Sequence, residues 1–499
     1  MKAAFALTLL LSCLPGFAAA QTADRTPGPE GPGLRTPGVP VRSPGASAPG
    51  SPDLKVRGYV PQGFQYVAPG LQPRGPSQPA HESPVVRLTP DSAVEMALAA
   101  SHRVAEWAAR IDAARAVVDS RSAADNPTLT LLAGYTRTNH VDEYGIQIPG
   151  MPLRVIYPDV PDNWRARADV QWPVYTAGRV AALERAAAAD LDATDRDAGA
   201  VRADTRLDAT RAFWMLYTAR ESARVVAESL ARVEAHLKDV EAMNAAGLVA
   251  PNDVLTVEAR RSRERVLLIE AQNARDVAEA DLRRATGLAP GTRIELDLTP
   301  GPAPGDPADV AALVEVARQN RPERQALELR VQAVDERRTI AASARKPTVA
   351  LVAGADYARP NQRIFPRAAE WNPSFDVGVN VAWTAWDGGR AKADLAEADA
   401  TRRAAALRLA ELDRMIEFEV TQRTLDLASA QASVGAARDG ERASAEAHRV
   451  VSNRFKAGLV GNSDVLDAQM ALLMAQLDVT RAQTAVRLAQ ARLDRTLGR

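Results

Sequence analysis

The residues best placed for chemistry in this 499-residue chain are three aspartates, Asp253, Asp464 and Asp467. Asp253 lies in the stretch AGLVAPNDVL (246–255), Asp464 lies in AGLVGNSDVL (457–466), and Asp467 follows three residues later. An acid just after a turn has a structural use, because it caps the next helix or answers the positive end of its dipole. The other reactive residues are scattered. His81, His102, His140, His236 and His448 show no metal-ligand spacing. The single cysteine, Cys13, rules out a disulfide framework and a cysteine zinc site. No phosphate-cradling glycine loop, metalloprotease helix or serine elbow is present. The expectation is a protein without catalytic residues, metal or cofactor.

The two AGLV stretches are part of a longer internal repeat. PVYTAGR at 173–179 is matched by TAWDGGR at 384–390, with the same 211-residue offset as the AGLV pair. NPTLTLLAG at 126–134 is matched by KPTVALVAG at 346–354, now 220 residues apart, and Glu95 and Glu315 share that offset. The change of offset places nine extra residues in the first copy, between Pro127 and Pro173. Each copy reads as an amphipathic helix (90–124; 308–345), two strands around a Pro-containing loop, a very long helix, the AGLV turn and a returning helix. Helix 178–246 would run for roughly 100 Å and helix 462–498 for roughly 55 Å at about 1.5 Å per residue. Such helices must pack side by side. Val465, Leu472, Val479, Val486 and Leu493 recur every seven residues, with Ala468, Ala475, Ala482 and Ala489 three positions later. That apolar seam predicts a closely packed left-handed coiled coil.

The strands alternate. In SFDVGVNVAW, Phe375, Val377, Val379, Val381 and Trp383 share one face, and Ser374, Asp376, Gly378 and Asn380 share the other. Arg167, Asp169 and Gln171 likewise oppose Ala168, Val170 and Trp172. Segments 128–175 and 348–386 hold 12 of the 23 aromatics, about three times a uniform share. Strands of about ten residues with aromatic ends suit a transmembrane β-barrel; a soluble aromatic core is the alternative. Four strands cannot close a barrel, and an open sheet leaves unpaired backbone groups in lipid. The chain must then oligomerise, and three copies supply twelve strands.

Composition sets further bounds. Lys+Arg and Asp+Glu are both 62, so there is no global charge for binding nucleic acid. The mean hydropathy of −0.22 and the lack of long apolar runs exclude a helical transmembrane protein. Residues 1–20 read as a signal peptide: Lys2, an apolar run from Ala3 to Leu11, and Ala18-Ala19-Ala20 before the cut. The alternative is a lipoprotein signal, with Leu10-Leu11-Ser12-Cys13 as a loose lipobox. Residues 21–84 carry 14 prolines and 10 glycines and read as a disordered spacer, with a tether or wall-threading segment as the functional alternative. The remainder divides into repeats at 85–298 and 299–499.

From residue 85 onward the sequence resembles the TolC family of outer-membrane efflux proteins. The resemblance rests on the two AGLV-x-x-x-DVL turns, on Val465-Leu466-Asp467-Ala468-Gln469 and on Trp386-Asp387-Gly388-Gly389-Arg390. It implies a mostly α fold with a small β part. A homotrimer would form a twelve-stranded outer-membrane barrel continued by a periplasmic α-helical barrel. It also implies a passive exit duct, docked to a periplasmic adaptor and an inner-membrane pump of the RND, ABC or MFS type. Drug efflux, metal efflux and type I secretion all fit. With nothing to hydrolyse ATP, transport energy must come from that pump. By the same resemblance Gly247, Leu248, Val249, Gly458, Leu459 and Val460 form adaptor-contact tips, with both leucine-valine pairs expected to be exposed. Asp464 and Asp467 would line the periplasmic constriction, with Asp253 nearby. Where the family's known latch has a Tyr and an Arg, this chain has Phe455 and Val460, so tip closure is expected to rest on apolar packing. The second function class is a periplasmic coiled-coil adaptor or scaffold. Adaptors carry one hairpin between lipoyl-like half-motifs, whereas here there are two hairpins, each preceded by strands.

Overall fold

A computed structural model describes residues 85–298 and 309–499. The expected signal peptide and spacer lie outside these residues. In chain order the elements are β1 (Val85–Leu88), α1 (Pro90–Ala100), α2 (His102–Ser122), β2 (Thr128–Arg137), β3 (Tyr144–Ile146), β4 (Arg154–Tyr157) and β5 (Asp162–Tyr175). They continue with α3 (Arg179–Ala245), α4 (Pro251–Thr286), β6 (Arg293–Leu296), α5 (Val310–Asn320) and α6 (Pro322–Ser343). The last are β7 (Thr348–Arg359), β8 (Asn372–Ala382), α7 (Arg390–Lys456) and α8 (Asn462–Thr496). The order helix pair, strand pair and helical hairpin occurs twice.

Helices α3 and α7 are both 67 residues long, rich in alanine and free of proline, which lets the backbone ladder run on without a break. Left-handed Gly178 (φ 81°) and Gly389 (φ 93°) turn the chain from strand to helix at corresponding places. In the second copy Asp387 holds the corner, accepting from the N–H of Gly389 at 2.9 Å and of Ala391 at 2.8 Å. The predicted seam of α8 faces inward, with Val465, Leu472, Ala489 and Leu493 buried.

Each opening helix is in fact two. The expected 90–124 helix breaks at Ser101, whose extended backbone lets its hydroxyl accept from the Val104 N–H and start α2. The expected 308–345 helix breaks at Arg321, because a residue before proline avoids helical geometry. Two short pairings also escaped the sequence reading. β1 and β6 pair in parallel, and β3 and β4 form a small hairpin within the longer loop of the first copy.

The main sheet has the order β2-β5-β7-β8, antiparallel throughout. Its register sorts the side chains by face. Leu129, Leu131, Trp164, Val170, Trp172, Leu351, Tyr357, Phe375, Val377 and Val379 fall on one side. Arg165, Arg167, Asp169, Asp356, Asp376 and Asn380 fall on the other. The apolar side is uncovered: Phe375 is 81% exposed and Val377 79%. β2 and β8 are the sheet's free edges.

Candidate functional site

The two AGLV turns lie at one end of the helical hairpins and are built alike. Gly247 (φ 74°) and Gly458 (φ 73°) adopt the left-handed conformation that favours glycine. In the first turn Gly247 N–H donates to the Asn244 carbonyl (2.9 Å) and Leu248 N–H to that of Met243 (2.8 Å). In the second, Gly458 donates to Phe455 (2.8 Å) and Leu459 to Arg454 (2.9 Å). This pair of bonds is the Schellman pattern, which satisfies the last helical carbonyls and reverses the chain. Asn244 also donates to the Val249 carbonyl at 2.9 Å.

Only half of the expected exposure is found. Leu248 and Leu459 stand out, 74% and 73% exposed. Val249 and Val460 instead turn inward, against an apolar cluster of Val233, Leu237, Val240, Val257, Phe455, Val465 and Leu466. One cluster thus draws on α3, α4, α7 and α8 and holds both turns together.

The aspartates differ among themselves. Asp464 is exposed, and its carboxylate accepts from the Gly461 N–H at 3.0 Å, a local helix-start role. Asp467, one turn further along α8, is exposed and forms no ion pair among the described residues. Asp253 is half-buried, and its carbonyl accepts from Asn462 Nδ2 at 3.2 Å.

That last bond belongs to a polar bridge the sequence reading missed. His236 of α3 is buried, and its Nε2 lies 2.7 Å from Asn462 Oδ1 at the start of α8. Asn462 passes the connection on to the Asp253 carbonyl in α4, and the Phe455 ring packs edge-on against His236 at 5.0 Å. Burial pushes the His236 pKa down, partly offset by the Asn462 hydrogen bond. Asn462 Oδ1 can only accept, so His236 Nε2 is the donor in this bond. A His-Asn bridge thus runs beside the apolar cluster that holds Phe455 and Val460. Its two members are 226 residues apart, with nothing in the sequence to pair them.

Among the described residues no helix is long and apolar enough to cross a membrane, and no group of three His, Cys, Asp or Glu could hold a metal ion. A family model described as "Outer membrane efflux protein" matches residues 93–288 and 313–499. The chain belongs to this family. It is 28% identical over 394 residues to Protein CyaE of Bordetella pertussis, covering 77% of this chain and 78% of that protein. Its fold matches that of the Vibrio cholerae outer membrane protein VceC, with a TM-score of 0.67, 20% identity, and coverage of 82% of this chain and 96% of that one. It also matches CusC, described by its transmembrane channel formation, with a TM-score of 0.70, 14% identity, and coverage of 82% and 92%. OprN, an outer-membrane channel, matches at a TM-score of 0.67 and 21% identity, covering 82% of this chain and 89% of its own.

As an outer membrane efflux protein the chain resides in the outer membrane, and its sheet is the part suited to lipid. Leu131, Phe375 and Val377 lie on its uncovered apolar side, and the Arg-Asp side chains lie on the opposite face. The family decides between the two classes left open by the sequence: this is a channel protein, not a soluble scaffold.

Proposed function

We propose that three copies of this chain form one continuous duct, a twelve-stranded barrel joined to a barrel of helices in the periplasm. The observation that carries this is the pair of free edges, β2 and β8, on a sheet whose apolar face is uncovered. Backbone groups at such an edge cannot remain unpaired in lipid, and β8 of one copy against β2 of the next removes every edge. The duct is passive and serves a tripartite assembly with a periplasmic adaptor and an inner-membrane pump.

In this reading Leu248 and Leu459 are the apolar contacts offered to the adaptor, held by Gly247 and Gly458 and backed by Val249 and Val460. Asp467 and Asp464 line the periplasmic constriction, with Asp253 behind them. Residues 1–20 direct export, and 21–84 form a spacer ahead of the repeats at 85–298 and 299–499. Native mass spectrometry of the detergent-extracted protein tests the assembly: a trimer is expected, and a stable folded monomer would overturn it. Leu248→Ser with Leu459→Ser should leave that trimer intact and abolish co-purification of the adaptor.

A further inference from the structure

We propose that Arg167 sets the ion selectivity of the barrel lumen, by gathering the carboxylates of three strands into one neutral band. The proposal rests on the duct reading and adds a second selectivity element, at the membrane end, to the acids at the tip.

The lumenal face of the sheet is crosslinked through one side chain. Arg167 of β5 donates from Nε to Asp169 on its own strand at 2.7 Å. Nη1 reaches Asp356 of β7, and Nη1 and Nη2 reach the two oxygens of Asp376 of β8 at 3.2 and 3.3 Å. Arg165 donates to the other oxygen of Asp356, and Arg363 reaches Asp376 at 2.9 Å while also donating to the Phe375 carbonyl. The site is built for this guanidinium. Gly354, next to Arg167 on the neighbouring strand, leaves the space it fills, and a Cβ there would run into it. Asp356 is only 8% exposed and Arg167 is mostly covered, so this central pair is held in place, with the more exposed Arg165, Asp169, Arg363 and Asp376 around it.

The charges balance. Arg165, Arg167 and Arg363 face Asp169, Asp356 and Asp376, three against three in each chain. Three copies make a closed ring with no net charge, which gives the lumen there no preference for either ion sign. Removing Arg167 leaves one excess negative charge per chain, three around the ring. Removing one carboxylate does the opposite.

The test measures reversal potentials in planar bilayers under a salt gradient at low ionic strength, where the Debye length is about 30 Å. It uses the Asp464→Asn, Asp467→Asn chain as parent, so that the tip does not mask the barrel. Arg167→Gln should raise the cation-to-anion permeability ratio by about twofold or more. Asp376→Asn should lower it, and Arg167→Gln with Asp356→Asn should return it to the parent value. Selectivity that ignores these charges in assembled trimers, with only a loss of thermal stability, would reduce Arg167 to a strand staple and overturn the proposal. Should Arg167→Gln fail to assemble, the Asp376→Asn shift alone decides. A trimer that conducts in no variant would overturn the duct reading and this proposal with it.

Discussion

His236 should make the tip sensitive to acid. It is buried, with its pKa lowered first by desolvation and then by the repulsion of Lys456; the Asn462 hydrogen bond and Asp239 pull it back up. His448 of α7 is shifted the same way by burial and by the positive charge of Arg232, with His236 nearby. For a histidine held below its unfolded value of about 6.5, the unfolded chain takes up the proton first. The stability it contributes is complete above that value and is lost as pH falls towards the lower folded pKa. The expected outcome is that amide-exchange protection factors at 244–250 and 455–462, corrected for the intrinsic slowing of exchange in acid, fall as the pH is lowered from 7.5 to 5.5. His236→Gln should remove most of that dependence, leaving the share due to His448. An equal loss of protection in wild type and variant would exclude the His236–Asn462 bridge as the cause. Asp467 presents a different case, since it is exposed with no ion pair, whereas Asp464 also caps Gly461. Asp467→Asn should lower cation selectivity with trimer stability unchanged. Asp464→Asn should add a stability loss of about 0.3–1 kcal/mol, the usual scale for a helix-start acid. A reversal potential unmoved by both would take these residues out of the constriction.

At the level of elements the two hairpins are not equal. The positions 211 residues before Leu472, Ala475 and Val486 hold Arg261, Glu264 and Arg275. Where α8 packs an apolar seam on α7, α4 therefore packs a fully buried Glu264 on α3, paired with Arg260 one turn earlier. One Glu264 oxygen has no hydrogen-bond partner among the described residues. Breaking a buried pair costs about 3–5 kcal/mol, while replacing both members with apolar groups is often neutral or stabilising. Glu264→Leu should thus lower the thermal midpoint of the detergent trimer, and adding Arg260→Met should restore it. A double variant no better than the single would deny the pairing. The long helices and strands were legible within a few residues, because alanine-rich runs, Gly-containing corners and strict alternation leave few alternatives. Breaks at Ser101 and Arg321 were missed although Pro322 signals the second, and three- or four-residue strands such as β1 and β3 carry too little pattern to stand out. The turns were legible because Gly247 and Gly458 require a left-handed backbone. The inward set of Val249 and Val460, and the His236 bridge, depend on which helices meet, and periodicity does not reveal that.

For the whole molecule, composition and assembly make separate demands. Residues 21–84 carry 14 prolines and 10 glycines, and their proposed role as a spacer can be tested directly. Deleting 25–80 while keeping the export signal should leave the trimer in the outer-membrane fraction, and its loss from that fraction would show that the segment takes part in assembly. The order of strands in the sheet has a consequence of its own. β5 belongs to the first repeat and β7 to the second, and they pair from Trp164–Arg359 to Tyr175–Val349, as extensively as the strands within either repeat. The joint between halves of one chain is therefore of the same kind as the joint proposed between chains. Such a ring has six staves in near-sixfold arrangement, three seams sealed within a chain and three between chains. Fusing two copies of an ancestral stave leaves the count of staves untouched but frees alternate ones to drift apart, as Glu264 and Ala475 have done. A chain cut between Leu298 and Asp309 and supplied as two exported halves would then have to rebuild both the β5–β7 seam and the shared cluster at the turns to restore the same ring.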